Sequence, residues 1–292
     1  MLRNKCAVIT GASRGLGEAI AREFVAQGAC VFLCARNAAD LEKVCEALRR
    51  ERREPEQAVF SFAGDLAEES TAEEMIRQAL ARMGRIDILV NNAAVQGPIG
   101  PMEENPWEQW KRTLATDLLT PAHLIHEVLP LMKKQGGGKI VNLSGGGATG
   151  PRENYSAYAV AKTGLVRLTE TIARETRDDH IGINAIAPGA MNGRMLEETL
   201  QAGEDAVGKA EYAKALERKE KGGVPPETAA RLCAFLASPE SDGITGRLIS
   251  AVWDDWEHFT PERVEKMRNG DIYTLRRIIP QDRGDNWDKP GR

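Results

Sequence analysis

The stretch TGASRGLGEAIA, residues 10–21, decides how the rest of the chain is read. It follows the β-branched run KCAVIT and places Gly11, Gly15 and Gly17 as G-x-x-x-G-x-G at the entry to a segment of helical periodicity. Glycines let a backbone turn tightly and approach a pyrophosphate, and the first turn of a helix offers unpaired N–H groups at the positive end of its dipole. Leu16, Ile20 and Phe24 recur at i, i+4 and i+8 as the apolar stripe of that helix, and Gly28 supplies a left-handed residue past its end. Strand, glycine turn and helix in this order predict a dinucleotide site in which Gly11, Ser13, Arg14, Gly15, Leu16 and Gly17 meet the cofactor.

The same alternation continues outward. CVFLCA, AVFSFA, IDILVNN, KIVNLS, GINAIAP and GRLISAVW read as further strands. Amphipathic segments at 16–27, 38–50, 69–83, 105–134, 154–177, 195–220 and 226–237 read as the helices between them. Seven strands so connected predict an α/β class: a Rossmann-type, doubly wound seven-stranded parallel sheet with helices on both faces. This domain spans 1–253. Within it, 190–225 is charged, glycine-containing and long, as suits a helical lid over a substrate site. Residues 254–292 form a C-terminal extension in which Thr260-Pro261-Glu262 starts a helix, and the last eight or so residues are expected to be disordered.

A net charge of −4 leaves no basic footprint for nucleic acid, so the expected partner is a small molecule. No signal-peptide layout opens the chain and no apolar run reaches the ~18 residues of a membrane span, which predicts a cytoplasmic protein off the membrane. The five cysteines form no C-x-x-C pair and read as buried fillers; neither they nor the four histidines show metal-ligand spacing. The charged run RRERREPEQ reads as a solvated turn.

At the end of the second strand, FLCARN puts Ala35 and Arg36 where a carboxylate would meet a free ribose 2′-OH. Arginine suits a 2′-phosphate, and Arg14 is a second cation within reach, so NADP(H) is expected over NAD(H). Asp65, with Leu66 beside it in AGDL, is placed either to accept from the adenine amino group or to cap its own loop.

TGASRGLG, NNAA at 91–94, the pair Tyr158-x-x-x-Lys162 and APG at 187–189 stand in one order, and with them the chain resembles the classical short-chain dehydrogenases/reductases over about residues 3–253. The resemblance implies that Tyr158 is the general acid/base and that Lys162, one helical turn along the same face, lowers the phenol pKa and bonds the nicotinamide ribose. It implies hydride transfer between the nicotinamide and a carbonyl or secondary alcohol. Asn91, Asn92, Ala93 and Ala94 then run under the adenosine ribose, Pro188 and Gly189 along the nicotinamide. Dimers or tetramers built through the helices at 105–134 and 154–177 are also implied.

Three departures from the family pattern stand out. LATDLLTP puts Asp117 where the family has a relay asparagine, which predicts a retuned proton relay. Gly193 in PGAMNGRM replaces a threonine, leaving the carboxamide to backbone or to Asn192. Gly145 stands where the family has its substrate-binding serine, thirteen residues before Tyr158. Ser144 one residue earlier, no serine equivalent, or Thr149 or Tyr155 remain as readings of that position. A catalytically weak, dinucleotide-sensing protein is the rival that these changes admit; retention of Tyr158 and Lys162 speaks against it. Arg152, Glu153, Asn154, Asn192 and Arg194 favour a hydroxylated or anionic substrate over a steroid or long acyl chain, and among these a sugar-like one. The tryptophans of VWDDWEHF cap the sheet or pack on a neighbouring subunit, and the extension is a candidate contributor to a neighbour's pocket.

Overall fold

A computed structural model describes residues 1–285 and 287. Seven strands, β1 (Cys6–Thr10), β2 (Cys30–Ala35), β3 (Val59–Ala63), β4 (Ile88–Asn91), β5 (Gly138–Leu143), β6 (Ile181–Ala187) and β7 (Leu248–Ser250), form one sheet in the order β3-β2-β1-β4-β5-β6-β7. Every pairing is parallel. Strands buried on both faces need apolar side chains at every position, which is why these runs are nearly continuous in sequence. Ala7, Ile9, Val31 and Leu33 face one hydrophobic cluster, and Val8, Phe32, Leu89 and Ile140 face the other.

The helices cover both faces: α1 (Gly15–Ala26), α2 (Ala38–Glu51) and α9 (Pro226–Leu236) on one side, α3 (Glu69–Met83), α5 (Thr120–Lys134) and α6 (Ser156–Glu175) on the other. Four of the five cysteines are buried and all are free. Two long helices expected from the sequence are broken. The segment at 105–134 divides into α4 (Trp107–Leu114) and α5 around a π turn, Ala115–Leu119, that carries Asp117. The segment at 195–220 divides at Gly208 into α7 (Arg194–Val207) and α8 (Lys209–Lys221), with a further kink at Gly203, whose φ is 84°. Among the described residues no helix is long and apolar enough to cross a membrane.

After β7 the chain turns back onto its own sheet. Trp256 is buried against Phe235, with ring centroids 5.6 Å apart. Thr260 accepts from the Arg263 N–H at the start of α10 (Pro261–Asn269), and Pro261 takes the first helical position. Residues 270–275 then run beside the outer strand, where Leu248 N–H donates to Tyr273 O at 2.8 Å. The buried Arg247 donates to Ile272 O at 2.9 Å, to Gly270 O at 3.2 Å and to Met267 O. The expectation of disorder over the last eight or so residues falls mostly outside the described residues.

Candidate active site

β1 and β4 are neighbours in the sheet but not in the chain, so the connections leaving their carboxyl ends diverge and open a crevice. Thr10, at the end of β1, clamps the two strands: its hydroxyl donates to Val90 O at 3.3 Å and accepts from the Asn92 and Ala93 N–H groups at 3.0 Å. The cleft that begins there has a volume of about 1050 Å³. That is just above the ~300–1,000 Å³ usual for ligand sites.

Gly11, Ser13, Arg14, Gly15 and Leu16 line one end of the cleft. Gly17 does not face it but packs beneath, where a Cβ would fall 2.2 Å from Gly11 O and 2.5 Å from Asn92 Nδ2. Only glycine lets α1 start this close to the turn, and the cradle so formed fits a pyrophosphate against the helix N-terminus. Ala35 and Arg36 line the same end. The side chains of Arg14 and Arg36 are exposed and have no hydrogen-bond or ion-pair partner among the described residues. Leu66 and Asp65 follow, with Asp65 already engaged: one carboxylate oxygen accepts from Ala67 N–H at 3.2 Å and the other pairs with Arg112. This favours the loop-capping reading of Asp65. Asn92, Ala93, Ala94, Pro188 and Gly189 form the floor and far wall. Asn92 donates to Thr10 O and Gly11 O, tying this segment to the glycine loop. Asn91 is buried and donates instead to Asn142 Oδ1.

Tyr158 and Lys162 line the centre of the cleft from the first turns of α6, both buried. The Lys162 ammonium lies 5.5 Å from the Tyr158 ring centroid, donates to Leu143 O at 3.1 Å and pairs with Asp117 Oδ2 at 3.4 Å. Asp117 stands behind the lysine, fully buried, its other oxygen accepting from Val95 N–H at 2.9 Å. A π turn rotates the side chains it carries relative to a regular helix, and such turns recur at functional sites. Burial pushes the Asp117 carboxyl above its usual range, with Lys162 pulling it back. The Tyr158 phenol also stands above its usual value, because burial and then the Asp117 charge outweigh the lowering by Lys162 and Arg152. The expectation that the lysine depresses the phenol therefore holds only as a partial offset.

The glycine run after β5 divides cleanly. The Ser144 N–H donates to Ile186 O at 2.8 Å, so Ser144 ends the strand ladder, and Gly145 is the first loop residue. A Cβ at Gly145 would fall 2.3 Å from the Tyr158 hydroxyl. The Ser144 hydroxyl lines the cleft, buried, with no hydrogen-bond partner. Thr149 lines the cleft but is exposed, and the Tyr155 hydroxyl is buried against Thr199 Oγ1 at 3.3 Å. Geometry thus favours Ser144 among the hydroxyls.

Arg152, Asn192 and Arg194 line the cleft, while Glu153 and Asn154 do not. Arg194 is tied to Ala94 O at 3.1 Å and to Glu198 at 3.5 Å. Gln96, Thr116, Thr199, Glu211 and Arg218 also line it and carried no distinguishing signal in sequence; Trp253, read from the sequence as a sheet cap or subunit contact, lines it too and is exposed. Six buried side-chain polar atoms lack a hydrogen-bond partner among the described residues, and four of them, on Gln96, Thr116, Ser144 and Arg218, line this one cleft. Buried polar groups are normally satisfied, so their concentration here marks where a ligand belongs.

A cleft of this shape, at the switch point of a parallel sheet and with a buried tyrosine–lysine pair, belongs to a nicotinamide-dependent oxidoreductase. The family model described as short chain dehydrogenase matches residues 5–204, and the chain is a member of that family. It is 33% identical over 254 residues to "Dehydrogenase/reductase SDR family member 4" of Homo sapiens, covering 85% of this chain and 86% of that protein. Among solved structures, NAD+-bound xylitol dehydrogenase superposes with a TM-score of 0.76 at 27% identity, covering 85% of this chain and 98% of the other. A variant of actinorhodin polyketide ketoreductase with NADPH superposes with a TM-score of 0.77 at 26% identity, covering 86% and 97%.

Proposed function

We propose that this oxidoreductase uses NADP(H) and transfers hydride between the nicotinamide and the carbonyl or secondary alcohol of a small polar substrate. The observation that carries the reading is the buried line of Asp117, Lys162 and Tyr158 in a cleft that starts at the glycine loop and that Ser144, its buried hydroxyl unpartnered, also lines. The bound nicotinamide supplies or accepts the hydride. Tyr158, its proton retained by burial, gives that proton to the carbonyl oxygen in reduction and takes it back in oxidation. Lys162 offsets part of the burial at the phenol and would donate to the ribose of a bound cofactor. Asp117 keeps the ammonium charged and in place. Ser144 donates its idle hydrogen bond to the substrate oxygen as charge develops there.

Arg14 and Arg36 support NADP(H), since two unpaired guanidinium groups beside Ala35 suit a 2′-phosphate better than a free hydroxyl. One structural neighbour binds NAD+ and another NADPH, so the preference rests on these arginines. We also propose a dimer or tetramer, because Trp107, Leu119 and Val160 are exposed on the α4, π-turn and α6 elements. The free thiols suit a reducing cytoplasm. Following NADPH absorbance across ketones, keto sugars and oxo acids tests the reading. Turnover that Tyr158→Phe abolishes is expected; tight NADPH binding with no turnover of any class overturns it.

A further inference from the structure

The substrate end of the cleft holds more positive charge than the protein itself balances. Arg218, on α8, lines the cleft; its guanidinium has no hydrogen-bond or ion-pair partner among the described residues, and its Nε is fully buried. An arginine cannot shed its charge to escape burial, so an unpaired Nε in such a place is costly unless a ligand meets it. Arg152 approaches from the loop before α6, its guanidinium 3.7 Å from the Tyr155 ring centroid and 6.0 Å from that of Tyr158. Glu211 also lines the cleft and pairs with Arg152 at 2.8 Å. Burial and the neighbouring Arg152 charge both press down on the Arg218 pKa, against the pull of Glu211. The one carboxylate beside the two guanidinium groups, Glu211, is paired with Arg152, and at this end of the cleft Lys162 is paired with Asp117 and Arg194 with Glu198.

We infer that Arg218, with Arg152 beside it, binds a carboxylate of the substrate, so that the enzyme acts on a short oxo acid or the matching hydroxy acid. The inference rests on the oxidoreductase reading above and narrows its substrate class. A carboxylate accepts from Nε and a terminal nitrogen of one guanidinium in parallel, which supplies the partner that Nε lacks. The Arg152 guanidinium, 6.0 Å from the Tyr158 ring centroid, puts this charged cluster at the phenol's end of the cleft. A long acyl chain or a neutral steroid would leave the buried Arg218 Nε unmatched.

The test compares short 2-oxo and 3-oxo acids with their methyl esters. The unaltered enzyme is expected to favour the acid in kcat/KM by about tenfold or more, the worth of one hydrogen bond to a charged group. Arg218→Gln is expected to collapse that ratio, Arg218→Lys to keep part of it, and Glu211→Gln, which frees Arg152, to lower KM for the acid. A merely structural role for this cluster would raise KM in all three. Equal use of acid and ester by the unaltered enzyme, or an unchanged ratio in Arg218→Gln, overturns the inference. Calorimetric titration of succinate against dimethyl succinate with NADP+ present separates the two levels. Succinate binding that Arg218→Gln removes, with no ketone turned over, would keep the anion site and overturn the reductase reading; absence of succinate binding together with equal turnover of acid and ester would do the reverse.

Discussion

The Cβ that any other residue would bring to position 145 falls 2.3 Å from the Tyr158 hydroxyl and 3.0 Å from two of its ring carbons. Gly145 is therefore the space into which the phenol projects, and the family's serine position is closed by the tyrosine it would serve. Restoring that serine should harm the enzyme. Gly145→Ser and Gly145→Ala must displace a phenol that is almost wholly buried, and a misplacement of ~1 Å at a reacting group costs about 10²-fold. Saturating kcat measurements on both variants check this; a gain in kcat for Gly145→Ser would show that Tyr158 works from another position.

Ser144 makes the complementary case. Its hydroxyl is buried without a partner, so removing it takes nothing from the fold and relieves an unsatisfied group. Ser144→Ala should leave Tm unchanged or slightly raised while kcat falls by about 10²–10³-fold, the usual cost of losing one donor to a developing oxyanion. Thr149→Val serves as the comparison: if the loss appears there and not at Ser144, the donor comes from the exposed loop.

The sheet and the cofactor end were legible because their signals are local. A parallel strand buried on both faces must be apolar throughout, and a glycine turn between strand and helix has few alternative uses. The π turn was not legible, since LATDLLTP satisfies a regular helix equally well; what separates the two is where Asp117 must go to meet Lys162. Arg218 sits in LERKEKGG, inside an unbroken run of charged residues, and only its position over the cleft distinguishes it from its solvated neighbours. The pairing of Tyr273 with β7 was hidden for a similar reason: residues 270–275 have no strand alternation, and Tyr273 itself lies at φ 62°.

Asp117 should reveal itself through pH. Its charge raises the Tyr158 pKa, so Asp117→Asn lowers it. Alcohol oxidation needs the deprotonated phenol, whose population grows as pH rises through that pKa; the rising limb should move to lower pH. Carbonyl reduction needs the protonated phenol, and its falling limb should move the same way. Rate profiles in both directions, measured at saturating cofactor, test the coupling, and two unmoved limbs would refute it.

Arg14 and Arg36 should set cofactor choice. Each unpaired guanidinium is available for a charge-assisted bond to a 2′-phosphate, and loss of one such bond is worth about 10- to 100-fold. Arg36→Ala and Arg14→Ala should lower the NADPH-to-NADH ratio of kcat/KM by that order. Ala35→Asp should invert the ratio, because it supplies a carboxylate for a free 2′-OH and repels a phosphate. A ratio that none of the three changes moves would assign the 2′ position to other groups.

The C-terminal segment gives the last expectation. Arg247 is buried and donates to the carbonyl oxygens of Met267, Gly270 and Ile272, while Leu248 of the outer strand pairs with Tyr273 and Leu275 N–H donates to the buried Glu170 at 2.5 Å. Residues 260–275 therefore complete the outer edge of their own sheet. Deleting everything after Phe259 would strip Arg247 of three acceptors and bare β7, and an uncovered edge strand recruits other chains. Arg247→Ala is expected to cost about 3 kcal/mol from lost charged hydrogen bonds. That corresponds to a fall in Tm of roughly 5 °C for a chain of this size. The deletion should fall further and aggregate on warming. Thermal unfolding with light scattering on both variants checks this. A deletion that kept its Tm but lost substrate affinity would instead assign the segment to a neighbouring subunit's pocket.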